Sequence, residues 1–184
     1  AQRIRVWDVP TRLFHWSLAT LIVAAVLPGK IGGGAIVWHG CFGLALVGLL
    51  VFRIVWGFVG STHARFASFF PLPSRLKAYL RGEWQGLGHN PLGALSVFGL
   101  LAMIGLQLGT GLLANDDIAF QGYLYALIDK ELSDSLTTLH RLASNGLFML
   151  VVMHLAAIMF YAHVKRDNLV KPMITGWKDD AEGE

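Results

Sequence analysis

Two histidines, His140 and His154, lie fourteen residues apart in one long apolar stretch, Leu139 to His163. In a helix this spacing corresponds to about 21 Å along the axis. It also returns both side chains to nearly the same face, about 40° out of register. Because neutral imidazole is a common ligand of iron, the stretch predicts a membrane-spanning helix that presents two metal ligands to one side.

Two further histidines lie at comparable places in other apolar stretches. His15 is near the start of the first stretch, and His39 is near the start of the second. If the chain crosses a membrane four times, His15 comes to the depth of His154. By the same reasoning, His39 comes to the depth of His140. Two such pairs, each from different helices, predict two stacked haems with bis-histidine iron in a bundle core. For any one of these histidines alone, an interhelical hydrogen bond is the alternative.

The remaining three histidines fit a ligand role less well. His163 follows His154 by nine residues, so it points to the opposite side of the helix. His63 and His89 fall in a polar connection, where we expect solvated side chains. His89 has a second interpretation, as part of a quinone site or a proton route, because it directly precedes the third apolar stretch.

Three arginines are candidate partners of haem propionates, because a guanidinium group matches a carboxylate with two parallel hydrogen bonds. Arg53 lies in the second apolar stretch, fourteen residues after its histidine, and Arg12 lies one turn before His15. Arg141 directly follows His140 and would serve the other haem. Arg53 and Arg12 have a second interpretation, as side chains that extend to the membrane interface.

Small and polar residues near the histidines give a weaker indication of a haem site. Gly40 and Gly43 flank one histidine of the second stretch, while Ala143 and Ser144 follow one of the fourth. Such residues admit a flat macrocycle, but they equally admit close helix packing. Gln107, in the third stretch, predicts an interhelical hydrogen bond.

The composition indicates which elements carry these side chains. Of the 184 residues, 54% are hydrophobic and only 15% are charged, which is typical of a polytopic membrane protein. We predict an all-α membrane protein, a four-transmembrane-helix bundle that forms a single domain over residues 1–184. The predicted spans are 10–27, 36–59, 91–113 and 134–164.

Local sequence signals predict where these helices start and end. Pro10 suits a first helical turn, and Pro28-Gly29 predicts the end of the first helix. Asn90 and Pro91 predict a capped start of the third. Between the second and third spans, SRLKAYLRG predicts a short interfacial helix, and the terminal KDDAEGE predicts disorder.

The distribution of charge predicts orientation. Basic residues cluster at both ends of the chain and in the middle connection, so the positive-inside rule places the N and C termini in the cytoplasm. The charged start without a small-residue cleavage site predicts no signal peptide. The basic side has Arg3, Arg5, Arg12, Arg65, Arg75, Lys77, Arg81, Lys165, Arg166, Lys171 and Lys178, and the other side has Lys30 and Lys130 with Asp116, Asp117, Asp129, Glu131 and Asp134.

The single cysteine and the small net charge exclude several kinds of cofactor attachment and partner. Cys41 alone excludes an intrachain disulfide, a cysteine-ligated iron–sulfur cluster and covalent c-type haem attachment, so any haem is held non-covalently. The net charge of +3 arises beside apolar stretches, which favours membrane orientation and predicts no nucleic-acid partner.

With these residues in view, the chain resembles the bacterial cytochrome b-561 family, which includes the cytochrome b subunits of nickel–iron hydrogenases. The resemblance rests on VWDVPTRLFHWSL, on His39, on FRIVWGFVGSTHARF and on LHRLASNGLFMLVVMHLAAIMFYAHVKRDNLVKPMITG. It implies four core spans and two b haems in a bacterial cytoplasmic (inner) membrane. The ligands it implies are His15, His39, His140 and His154.

Three functional hypotheses follow. The first is a transmembrane di-haem electron-transfer protein between the membrane quinone pool and a periplasmic redox partner, which the resemblance implies is a c-type cytochrome or a dehydrogenase. Whether such a subunit is itself a quinol or quinone oxidoreductase stays open. The second is a superoxide:quinone oxidoreductase. The third is a non-redox transporter or membrane anchor.

Overall fold

The computed structural model describes residues 3–84, 89–118 and 120–179, in which helices predominate. Two single turns of 3-10 helix, Gly33–Ala35 and Tyr125–Leu127, accompany the longer elements. In chain order the elements are β1 (Arg3–Arg5), α1 (Val9–Ile31), α2 (Ile36–Val59), α3 (Phe66–Phe69), α4 (Pro73–Leu80), α5 (Pro91–Leu113), α6 (Lys130–His163), α7 (Val170–Thr175) and β2 (Trp177–Asp179).

Four of these helices, α1, α2, α5 and α6, are long and apolar enough to cross a membrane. Only 11% to 17% of the residues in the most apolar part of each are buried within the protein. Large apolar side chains that face outward in this way are expected of a surface in contact with lipid. The prediction of four membrane helices is confirmed.

Polar side chains cap the N-termini of three of the long helices. The Asp8 carboxylate accepts a hydrogen bond from the Thr11 amide at 2.7 Å, and the Asn90 side chain accepts one from the Gly93 amide at 2.7 Å. Asp129 accepts one at 2.8 Å from the amide of the third residue of α6. Each cap satisfies a backbone donor that the helix cannot pair itself. The predicted asparagine cap of α5 is confirmed.

Two helix boundaries differ from the predictions. The first helix continues past Pro28-Gly29 to Ile31, because a proline removes one backbone donor and membrane helices tolerate that loss. The fourth begins at Lys130 rather than 134, because the Asp129 cap starts the helix in a polar segment that precedes the apolar stretch. The short helix predicted in SRLKAYLRG is present as α4.

Strands β1 and β2 form a small antiparallel sheet that the all-α prediction missed. Arg3 pairs with Asp179, and Arg5 pairs with Trp177. The sheet shows that the beginning of the predicted disordered tail is ordered through residue 179. Residues 180–184, the rest of that tail, lie outside the described residues.

The described residues group into two compact units. Unit 1 lies within Ala1–His15, Phe52–Gly99 and Val151–Glu184, and unit 2 consists of Trp16–Val51 and Leu100–Leu150, within their described parts. Each unit contains one of the predicted histidine pairs. The single domain over 1–184 stays a prediction.

Candidate functional site

In unit 1 the structure brings His15 of α1 and His154 of α6 together. Their ring centres lie 6.4 Å apart, and the ring planes are inclined by 49°. Both residues are part-buried. The structure therefore brings together the two histidines of the first predicted pair.

Arg53, on α2, is buried in the same unit, with 4% of its surface exposed. Its guanidinium carbon lies 4.6 Å from the centre of the Phe66 ring and 6.0 Å from that of Phe69. Its Nη1 atom is buried and has no hydrogen-bond partner among the described residues. The guanidinium group thus does not extend into solvent, and one of its donors is left for an acceptor from elsewhere.

Arg12 is held differently. One of its terminal nitrogens donates to the backbone carbonyl of Ile174, at the end of α7. Its Nε atom is buried and lacks a hydrogen-bond partner within the described part of the chain. A buried donor without an acceptor is costly, so Arg12 and Arg53 together offer unused positive hydrogen-bonding capacity in unit 1.

His89 is not the solvated side chain that we expected. Its ring centre lies 4.6 Å from that of Trp7 and 4.7 Å from that of Phe69. Its Nδ1 atom is buried with no hydrogen-bond partner in the described ranges. Burial, assisted by the positive charge of Arg53, lowers the pKa of His89 to about 3. The expectation was wrong because Trp7, from the segment before α1, and Phe69, from the connection before α5, pack against this imidazole.

A cavity of about 260 Å³ adjoins His89. We call it the His89 cavity. It is lined by aromatic rings, by one arginine and by the imidazole itself, which gives it flat apolar walls and a few polar groups. The lining residues are Ser68, Phe69, Phe70, Arg75, Trp84, His89 and Pro91.

In unit 2, His39 of α2 and His140 of α6 form the second predicted pair. Their ring centres are 5.9 Å apart, and the planes are perpendicular at 90°. The Nδ1 atom of His39 lies 2.8 Å from the Ala25 carbonyl oxygen, and that of His140 lies 2.9 Å from the Gln107 carbonyl oxygen. Because a carbonyl only accepts, each Nδ1 atom donates, and each neutral ring keeps its lone pair on Nε2.

Two glycines that the sequence analysis did not single out allow these rings their positions. A Cβ atom at Gly29 would lie 2.6 Å from Nδ1 of His39, and one at Gly111 would lie 2.9 Å from Cε1 of His140. The indication for Gly29 was present in Pro28-Gly29, which we interpreted as a helix end. The sequence around Gly111 gave no comparable indication.

Gln107 forms the predicted interhelical hydrogen bond, and its partner is His140. The amide nitrogen of Gln107 lies 3.0 Å from Nε2 of that histidine. The Thr110 hydroxyl lies 3.2 Å from Nδ1 of the same ring. Helix α5 therefore supplies two side chains that contact His140, although it carries no predicted ligand.

Four other predicted residues have the following surroundings. Arg141 is exposed on α6. A Cβ atom at Gly40 would meet the ring of Phe120, whereas one at Gly43 would meet nothing within 4 Å. His163 is exposed and its Nδ1 atom donates to the carbonyl oxygen of Met159 in its own helix, which agrees with a side chain that points away.

A family described as prokaryotic cytochrome b561 matches residues 6–176, nearly the whole chain. The chain belongs to this family. It is therefore a haem-binding b-type cytochrome of membrane electron transport, with multiple spans in the bacterial inner membrane. The coarse fold, the cofactor type and the localisation predicted from the sequence are confirmed.

Individual relatives of this cytochrome carry related names. The chain is 26% identical to a probable Ni/Fe-hydrogenase B-type cytochrome subunit of Azotobacter vinelandii, over 96% of this chain and 90% of that protein. It is 26% identical to the same kind of subunit in Rhodobacter capsulatus, over 96% and 83%. The corresponding protein of Rhizobium leguminosarum bv. viciae is 23% identical over 95% and 88%.

The residues of this cytochrome fit the haem b that its family implies. Two pairs of imidazoles are suitable iron donors. In unit 1, buried N–H groups of Arg12 and Arg53 lack acceptors in the described structure, and the carboxylates of a haem would supply them. In unit 2, the absence of a side chain at Gly29 and Gly111 lets the two rings lie against the backbone of α1 and α5.

Proposed function

We propose that the chain is a single transmembrane cytochrome b domain that holds two haem b groups and passes electrons between the membrane quinone pool and a periplasmic redox partner. His15 and His154 would hold one haem. His39 and His140 would hold the other. The observation that carries the proposal is the pairing of two imidazoles from different spans within each unit.

The distances within each pair support this ligand assignment. A transition-metal ion takes an imidazole nitrogen at about 2 Å, so two imidazoles that share one ion would have ring centres up to about 6 Å apart. The observed separations are 6.4 Å and 5.9 Å. Direct packing of two neutral rings requires no such agreement at two separate places.

The haem, when bound, supplies one-electron chemistry at its iron. The chain fixes the ligand rings. Hydrogen bonds from Nδ1 of His39 to the Ala25 carbonyl and from Nδ1 of His140 to the Gln107 carbonyl set the tautomer that presents Nε2. Partners of this kind orient a ligating histidine and raise its basicity.

Arginine side chains are the second contribution of the chain to haem binding. An unpaired buried donor costs about 1–3 kcal/mol, so a propionate that accepts from Arg53 and Arg12 would remove a penalty present in unit 1. We propose Arg141, beside His140, for a propionate of the other haem. Its exposure leaves its guanidinium group free to reach that carboxylate.

The His89 cavity is the quinone site that we propose. A quinone ring is flat and carries carbonyl acceptors, and this cavity has aromatic walls formed by Phe69 and Trp84 together with His89. The imidazole of His89 lines this cavity, and it is the polar group that we propose for a hydrogen bond to such a carbonyl. From the charge distribution of the sequence, we propose that this cavity lies on the cytoplasmic side.

The redox partner would meet the opposite, acidic side. The relatives are named as hydrogenase subunits, so a periplasmic dehydrogenase of this type, or a c-type cytochrome, is the partner that we propose. Lys130 already pairs with Asp117 at 2.7 Å and with Asp134 at 2.8 Å. The acidic residues of this segment are Asp116, Asp117, Asp129, Glu131 and Asp134.

Haem counting tests the ligand assignment. Each of His15, His39, His140 and His154 is replaced by alanine, and haem per chain is measured on purified protein by the pyridine haemochrome spectrum. We expect two haems in the parent and one in each variant, with His163→Ala as a matched control on α6 that keeps both. A ligand variant that retains two haems contradicts its assignment.

A separate experiment tests the quinone site. A photoreactive quinone is cross-linked to the haem-loaded protein, and the labelled peptide is identified by mass spectrometry. We expect label between residues 66 and 91, reduced by excess unlabelled quinone and by Trp84→Ala. Label confined to other segments contradicts the His89 cavity without affecting the haem assignment.

A further inference from the structure

Helix α5 encloses His140 on both sides of its ring. The Gln107 carbonyl accepts from Nδ1 at 2.9 Å, and the Thr110 hydroxyl is 3.2 Å from the same atom. Gly111 lies against the ring edge, where a Cβ atom would be only 2.9 Å from Cε1. These contacts fix the orientation of the imidazole and place its proton on Nδ1.

The Gln107 side chain contacts the opposite nitrogen. Its amide nitrogen lies 3.0 Å from Nε2 of His140. Since Nδ1 of that ring carries the proton, Nε2 accepts and the amide donates. The amide oxygen of Gln107 is buried and has no hydrogen-bond partner among the described residues. Only one end of this buried amide is therefore satisfied by the protein.

We propose that Gln107 is a positioning residue that controls haem affinity at the His39–His140 pair, because its amide competes with iron for Nε2 of His140. The inference rests on the proposed ligation by His140. A neutral imidazole has one lone pair in the ring plane at Nε2, and it cannot serve an N–H donor and a metal ion together. Haem uptake at this pair therefore includes rotation of the amide away from the ring.

The competition has a measurable size. A net hydrogen bond contributes about 1 kcal/mol, which corresponds to about a fivefold change in a binding constant. Gln107→Leu removes the donor and keeps a side chain of similar length. The backbone carbonyl that orients His140 is unchanged in this variant. We expect haem at this pair to bind about fivefold more tightly and to leave no faster than in the parent.

The experiment uses the full chain produced in haem-deficient cells and titrated with haem. Affinity is followed by the Soret band, and release is followed by transfer to excess apomyoglobin. Met103→Leu is the matched control, because Met103 lies one turn earlier on α5 and faces Gly146. We expect this control to match the parent. A second variant, Gln107→Met, gives the same measurement with a different apolar side chain.

A spectroscopic measurement distinguishes competition from a general packing effect. In protein with ¹⁵N-labelled histidine and no added haem, Gln107→Leu should shift the Nε2 resonance of His140 and leave that of His39 in place. Unchanged or weaker haem binding in both Gln107 variants would overturn the competition. Failure of the proposed function is separate, because it shows as a full haem content in His140→Ala.

Discussion

Gly29 is the position where a single added methyl group should have the clearest effect on haem binding. In Gly29→Ala, the new Cβ atom would lie 2.6 Å from Nδ1, 3.0 Å from Cε1 and 3.3 Å from Cγ of His39. Ordinary contacts of this kind are 3.4 to 4 Å, so the ring must move by about 1 Å. This shift extends the 2.8 Å hydrogen bond from His39 to the Ala25 carbonyl beyond bonding distance.

The expected loss follows from the function of that hydrogen bond. Removing a partner that orients a metal-ligating histidine typically lowers affinity by about 10- to 100-fold. We therefore expect Gly29→Ala to weaken haem binding about 10- to 100-fold at the His39–His140 pair. Binding at the His15–His154 pair should not change, because its ligands belong to the other compact unit.

Haem titration and electron paramagnetic resonance of the oxidised protein measure this effect. Gly48→Ala is the control, since a Cβ atom at that position on the same helix as His39 meets nothing within 4 Å. We expect the control to keep two low-spin ferric signals, and Gly29→Ala to lose or shift one. If Gly29→Ala binds two haems with parent affinity and unchanged signals, the argument from close approach to His39 is refuted.

Three further predictions concern unit 1. His89→Phe should remove a pH dependence of stability. The pKa of this histidine is lowered to about 3, so the unfolded chain takes up a proton below pH ~6.5 and the folded protein does not. This uptake lowers the free energy of unfolding of the parent by about 2 kcal/mol at pH 5. Thermal melting of the parent and of His89→Phe at pH 7 and pH 5 measures the loss. An equal pH dependence in both proteins would contradict the prediction. Asn90→Ala should lower stability by about 2 kcal/mol, because it loses the α5 cap and a 2.7 Å hydrogen bond to Tyr161. Asn90→Asp keeps the cap and should melt closer to the parent. Arg53→Met should lower the midpoint potential of one haem, because a buried positive charge near a propionate favours the reduced form. Redox titration tests this with exposed Arg65→Met as the control, and an unchanged potential in Arg53→Met would count against the propionate contact.

Several features of this protein follow from its sequence alone, because they depend on local spacing. The fourteen-residue spacing of His140 and His154 returns both side chains to nearly one face of any helix. Long apolar stretches are sufficient to define four membrane helices, and Asn90 followed by proline is sufficient to define the start of α5. Pairing of histidines by depth needs only the order of the spans.

The tertiary structure decides which residues from different helices and connections are in contact, and no local sequence pattern contains this information. Gly29 and Gly111 matter because each faces an imidazole on another helix, and periodicity does not report which helix faces which. The ring of His89 packs against Trp7 and Phe69, which are far apart in sequence. Gln107 reaches His140 only through the packing of α5 against α6. In each case the deciding quantity is a distance between atoms far apart along the chain, which only the folded arrangement fixes.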